Sequence, residues 1–186
     1  MIYIVNFNYS IPDGAIAINT TSRSSNWSSG LSPFYCGPVK LYGEYSSQNV
    51  ENAWQYSKVY EYYTDDGEPA PRYFSWAEDG WKSTRAQRYP MGRGVVPLYS
   101  LWDGAKLSYV EARKAIYIPL YSSTVKKTSA FQQLKSEYKN NKDIYLIDFD
   151  AHNLEPKSYE YMDVVNNPKI KLGHAYVLAM MLENLI

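Results

Sequence analysis

Short β-rich runs at residues 2–7 and 15–20, joined through Pro12, Asp13 and Gly14, predict two strands in a small hairpin-like start. Residues 22–33 are Ser-rich, contain Gly30 and Pro33, and read as a long loop of the kind that often carries function. Ser46 or Ser47 can cap a helix running to about Tyr63, which Asp65, Asp66, Gly67, Pro69 and Pro71 bring to an end. Helical character follows around 74–87. A further helix begins near Ser108 and reaches Lys114, with Pro119 set to kink or interrupt it. From Ser122 or Ser123 to about Asn140 the pattern is helical again. Residues 143–150, DIYLIDFD, alternate as a strand: Ile144, Leu146, Asp148 and Asp150 share one side, and Tyr145, Ile147 and Phe149 the other. Two carboxylates therefore end one face. Residues 172–186 are strongly apolar and predict a buried terminal helix. The expected class is α+β, mostly helical with a small sheet.

Composition changes this picture in four places. A length of 186 residues fits one domain, or one domain with a large insertion. The 20 tyrosines give much of the apolar surface a hydroxyl that needs a partner or water. Cys36 is the lone cysteine, so no intrachain disulfide can form; with no leader pattern and no apolar run long enough to span a bilayer, a soluble, cytoplasmic protein is expected. Net charge is zero, but residues 72–127 hold ten basic against four acidic residues. That basic, aromatic-interleaved middle could grip phosphates, or be a set of solvated faces and structural ion pairs.

Candidate chemistry concentrates in one helix. Glu51, Gln55, Lys58 and Tyr62 fall at i, i+4, i+7 and i+11, with Trp54 at the border, which makes either a functional face or a well-charged solvent face. Asp148 and Asp150 could join Glu51 as an acid/base set, or simply cap the turn after their strand. His152 and His174 lie 22 apart and share no ligand spacing with Cys36, so no metal is expected. Cys36 reads as a packing thiol, and His174 as a core histidine with one satisfied nitrogen. Gly92 and Gly94 lack the context of a phosphate loop, and no dinucleotide fingerprint is present, so no cofactor is expected.

Leu31-Ser32-Pro33-Phe34, then Gly37-Pro38, then Asn49-Val50-Glu51-Asn52-Ala53-Trp54-Gln55 with Lys58, resembles the opening motif of the NADAR superfamily, which includes riboflavin-intermediate N-glycosidases. Gly92-Arg93, Trp102-Asp103 with Lys106, Leu146-Ile147-Asp148 and Lys171-Leu172-Gly173 resemble its later blocks more weakly. Asn52 stands where the motif has His, a late D-x-x-W-G is absent, and residues 61–90 and 151–170 are longer than usual. The resemblance implies one NADAR-like domain over 1–186, with N-terminal strands and loop in 1–30 and the family-like core in 31–186.

It further implies hydrolysis of the C1′–N bond of a nucleotide-type substrate. On that reading Glu51 activates water or stabilises the oxocarbenium ion, and Asp148 or else Asp150 is the second carboxylate. Trp54, Gln55, Lys58, Arg93, Trp102, Ser32 and Phe34 line the substrate site, Trp102 stacking on base or sugar and Lys58 and Arg93 holding phosphate. The favoured version is a DNA glycosylase-like enzyme acting on a modified or ADP-ribosylated base in nucleic acid. The alternatives are an N-glycosidase for a small ribosylated nucleotide and a non-catalytic ADP-ribose or modified-DNA binder.

Overall fold

The parallel pairing of two N-terminal strands through a third from far along the chain sets the architecture. The structure, a computed structural model, describes residues 1–152 and 160–186; the expected insertion at 151–170 falls partly outside them. Strands β1 (Ile2–Val5), β2 (Ile16–Asn19), β3 (Val39–Lys40), β4 (Ser46–Ser47), β5 (Lys58–Val59), β6 (Thr64–Asp65), β7 (Glu68–Pro69), β8 (Tyr99–Trp102), β9 (Ala105–Leu107) and β10 (Ile144–Ile147) form four small sheets among the described residues. Helices are α1 (Val50–Tyr56), α2 (Pro71–Lys82), α3 (Tyr109–Ala112), α4 (Ile118–Val125), α5 (Ser129–Asn140), α6 (Tyr161–Asn166) and α7 (His174–Leu182). The class is α+β. No helix among the described residues is long and apolar enough to cross a membrane.

The chain divides into two compact units, Met1–Ser32 with Tyr121–Ile186, and Pro33–Leu120. In the first, β10 lies between β1 and β2 and pairs with both in parallel, Ile144 opposite Ile2 and Ile16. The hairpin-like start is thereby corrected. β1 and β2 do not pair, because β10 (IYLI) is buried on both faces and so takes the central position that a parallel sheet reserves for continuous apolar runs. Helix α7 is apolar around its circumference and almost entirely buried, as expected of its sequence. The Ser-rich loop is not open either: it carries a 3-10 turn, Trp27–Leu31, capped by Asn26, and Ser28 Oγ donates to Asn19 O at 2.6 Å.

In the second unit the helix expected over 46–63 is only α1, seven residues long. Ser46 and Ser47 are strand β4, and the N-cap is Asn49, whose side chain accepts the Asn52 N–H at 2.8 Å. The far end is closed by tertiary contacts. The Tyr73 hydroxyl lies 3.1 and 3.2 Å from the carbonyls of Tyr56 and Ser57, and Ser57 O accepts the Leu101 N–H at 2.7 Å. The chain then turns into β5, which pairs antiparallel with β8. Tyr56, Val59, Tyr73, Ala77, Trp81 and Leu101 form the core here, and the Tyr56 ring lies directly on Gly80 of α2.

The helical run 74–87 resolves as α2, started by Pro71 at its first turn. The helix from Ser108 opens with a full capping box, Ser108 with Glu111, and continues past Lys114 through a π-helical turn, Arg113–Tyr117, into α4. Pro119 has no N–H to give and crowds the turn before it, and the turn before it is the widened one. The run 122–140 is two helices, because Thr128 ends one and caps the next by accepting the Phe131 N–H at 3.1 Å.

A Cβ on Gly80 would stand 2.1 Å from the Tyr56 ring. Gly80→Ala is expected to destabilise the protein by about 1–3 kcal/mol, the usual penalty of forcing atoms into a filled core. A urea-melt midpoint that falls with an unchanged slope checks it.

Candidate functional site

Helix α1 is fixed at its start by the loop before it. Val50 N–H donates to Cys36 O at 2.9 Å and Glu51 N–H to Pro33 O at 3.1 Å, which occupies donors that a helix N-terminus leaves open and clips the segment carrying half-buried Phe34 to the helix. Cys36 is buried, and burial pushes its thiol up to about 12, so it stays protonated at neutral pH. Asn52, fully buried, ties the helix to the segment after α2. Its Nδ2 reaches the carbonyls of Gly80, Ser83 and Arg85 at 3.0, 3.1 and 3.0 Å, and its Oδ1 accepts the Gln87 N–H at 2.9 Å. Asn52 is thus a rivet of the fold.

Glu51, Gln55 and Lys58 form a directed chain. Lys58 Nζ donates to Gln55 Oε1 at 2.8 Å, and Gln55 Nε2 donates to Glu51 Oε1 at 2.8 Å. Because an ammonium only donates, it fixes which end of the Gln55 amide faces the carboxylate. Glu51 and Gln55 are 5% and 4% exposed, so the chain is shielded and its charge-assisted bonds are stronger than surface ones. The sequence spacing puts Lys58 and Tyr62 on the same helix face, and that is corrected: Lys58 is on strand β5, brought back by the chain reversal, and Tyr62 lies in a 3-10 turn, 68% exposed.

Trp54 is walled in by its neighbours. Lys58 Nζ sits 4.7 Å above its ring, Tyr109 stacks at 6.2 Å and Tyr117 tilts against it at 5.3 Å. The guanidinium of Arg113, fully buried, lies 4.0 Å over Tyr109. Tyr109, Arg113 and Tyr117 belong to no motif of the sequence, yet their spacing of four on a capped helix is a legible aromatic and cationic stripe. Direct contacts therefore join Glu51, Gln55, Lys58 and Trp54. Elsewhere in this unit, Arg93 is exposed on a loop, and half-buried Trp102 meets Tyr42 edge-on at 4.8 Å.

The other predicted residues belong to the first unit. Ser32 is buried and ends the 3-10 turn, its N–H donating to Ser29 O. Asp148 lies just beyond β10, 2% exposed: Oδ1 accepts the Asp150 N–H at 3.0 Å, and Oδ2 accepts the Ala175 N–H at 3.0 Å and faces His174 Nδ1 at 3.0 Å. His174 Nε2 points at Thr20 O, 2.8 Å away. A carbonyl and a carboxylate are both acceptors, so this geometry assigns protons to both ring nitrogens and makes the pair ionic. The expectation of one satisfied nitrogen is corrected to two. Burial alone would push the Asp148 carboxyl up, but His174 and the two backbone N–H groups outweigh it and hold the carboxyl well below the usual aspartate range. Gly173 is required beside it, because a Cβ there would be 2.6 Å from Asp148 Oδ2. Asp150 is half-buried, 3.8 Å from Lys171 Nζ.

The family model described as "Family of unknown function (DUF6939)" matches residues 4–178, and the chain belongs to that family. No curated protein and no solved structure matches the chain.

A carboxyl held low in the folded state stabilises fully above the ordinary aspartate value, about 3.9, and its contribution is lost as pH falls below it. The Asp148→Asn variant is expected to lose about 3–5 kcal/mol at pH 7 by stranding a buried cation. Its stability should also fall less steeply than that of the parent below about pH 4, as read from urea melts across pH.

Proposed function

We propose that this family member is an N-glycosidase that hydrolyses the C1′–N bond of a nucleotide-type substrate, with a modified or ADP-ribosylated base in nucleic acid as the favoured substrate. The observation that carries this reading is Glu51: a shielded carboxylate whose orientation is set by Gln55, whose amide is in turn set by Lys58. The order of residues 31–58, resembling the NADAR opening motif, supports the same assignment.

In the reaction, a water oxygen bonds to C1′ while the C1′–N bond breaks and its electron pair leaves with nitrogen, which takes a proton from solvent, and Glu51 later returns to solvent the proton it removes from the attacking water. Glu51 accepts the proton of the attacking water, and its negative charge favours the oxocarbenium-like state between the two. Gln55 and Lys58 are positioning residues: they hold one carboxylate oxygen so that the group meets the water in a fixed pose. Trp54, with Lys58 above it and Tyr109 stacked on it, serves as a wall rather than a free stacking plate. Trp102 remains the proposed stacking surface and exposed Arg93 the phosphate contact. Asp148, locked to His174, anchors its own unit and is given no step in the chemistry.

Glu51→Gln keeps the size and the hydrogen-bonding shape but cannot take a proton. It is expected to cut base release by at least about 100-fold while changing ligand affinity by no more than a few fold. Purified protein is incubated with unmodified, ADP-ribosylated, hydroxymethyl- and glucosyl-modified DNA and with free NAD-type nucleotides, and free base or abasic sites are read by mass spectrometry. Release from none of these by the parent protein would overturn the proposal; binding without turnover in either form would mark a reader.

A further inference from the structure

The ten basic residues of 72–127 do not act alike once folded. Arg72, Lys82 and Lys106 pair with Asp65, Glu78 and Glu68, and Arg113 is buried. What stands out is the tract 83–102, which holds Arg85, Arg88 and Arg93 and no acidic residue. Arg85 and Arg93 are exposed.

This tract contains a loop tied at both ends to the elements that carry the Glu51 chain. At one end Gln87 N–H donates to Asn52 Oδ1 on α1, and Gln87 Oε1 accepts the Tyr56 hydroxyl at 2.9 Å. At the other, Leu98 N–H donates to Val59 O on β5, the residue after Lys58, at 2.8 Å. Between the anchors the backbone folds in two successive turns, Tyr89 O to Gly92 N and Gly92 O to Val95 N. Tyr89 holds φ at 59°, a conformation a bulky side chain adopts only where the surroundings impose it. Between these turns and the Leu98 anchor stand Val95 and Val96, 49% and 79% exposed, and Leu98 itself is 49% exposed. β-Branched side chains are stiff, so presenting two of them to solvent sacrifices little rotamer freedom when they are later confined.

We propose that residues 88–98 form a wedge loop for duplex DNA, its exposed Val95–Val96 pair entering a base step while Arg93 within the loop and Arg85 just before it hold the flanking phosphates. The inference rests on the N-glycosidase reading and narrows its substrate to a base extruded from a duplex. An enzyme that works at C1′ must unstack its target, and an apolar side chain pushed into the stack is the general device for doing so. Charge favours a polyanion as the occupant, and exposed arginines within and beside a loop hydrogen-bonded at both ends suit the fixed geometry of phosphates.

The test uses a duplex of about 20 base pairs with 2-aminopurine at the centre, whose fluorescence rises when the base unstacks. The parent protein is expected to bind with a strong salt dependence and to raise the fluorescence. Val95→Ser/Val96→Ser should bind within about threefold, because phosphate contacts carry the affinity, yet leave the fluorescence flat. Arg85→Ala/Arg93→Ala should weaken binding and flatten the salt slope by about 0.9 for each phosphate no longer neutralised. Absence of duplex binding, an undiminished rise with the serine variant, or valine-dependent binding to phosphatidylserine vesicles with none to duplex would each overturn the wedge. These readouts follow binding and stacking alone, so the wedge can fail while base release in the Glu51→Gln comparison still stands, and the reverse.

Discussion

One buried amide holds the Pro33–Leu120 unit together. Asn52 has two N–H bonds and three carbonyls around them, so one hydrogen is shared, and its oxygen takes a fourth partner. Through these contacts a helix of only seven residues, too short to persist on its own, is bound to the chain that follows α2. The Glu51 carboxylate and the start of the 88–98 loop therefore share a mount. A buried polar side chain with all its capacity used is a specifying contact: no apolar residue of similar volume could select this pose of the helix.

What is legible in the sequence is what depends on near neighbours. The apolar runs of β10 and α7, the capped start at Ser108, and the four-residue step from Glu51 to Gln55 can all be read directly. The rest is tertiary. The length of α1 escapes the local pattern because its end is set by a tyrosine hydroxyl sixteen and seventeen residues away, on Tyr73. Lys58 reaches its partner by a chain reversal rather than by helical phase. Pairing of β1 and β2 through β10 joins positions more than 120 residues apart, and no local pattern encodes it. Asp148 and His174 are far apart in sequence too, and the Asp148 that looks like chemistry is bound to a backbone turn, a helix start and a cation at once.

The abundance of tyrosine has a structural account in the same contacts. Tyr73 closes the end of α1, the Tyr121 hydroxyl donates to Leu31 O, and the Tyr176 hydroxyl accepts the His152 N–H at 2.9 Å. Each ring fills core volume while its oxygen satisfies a backbone group that would otherwise be buried without a partner. In a chain whose helices are mostly short, with many exposed ends to close, a residue that packs and caps together is well suited.

The parallel sheet also orders events in time. Unit Pro33–Leu120 is one unbroken stretch of chain, falling in sequence between the two segments of the other unit. On a ribosome it is complete while the partner strand for β1 and β2 is still unmade, since β10 begins only at Ile144. The first two strands have no central strand to pair with until Ile144–Ile147 has been made. Synthesis thus makes every residue of the Glu51 chain before it makes the strand that joins β1 to β2.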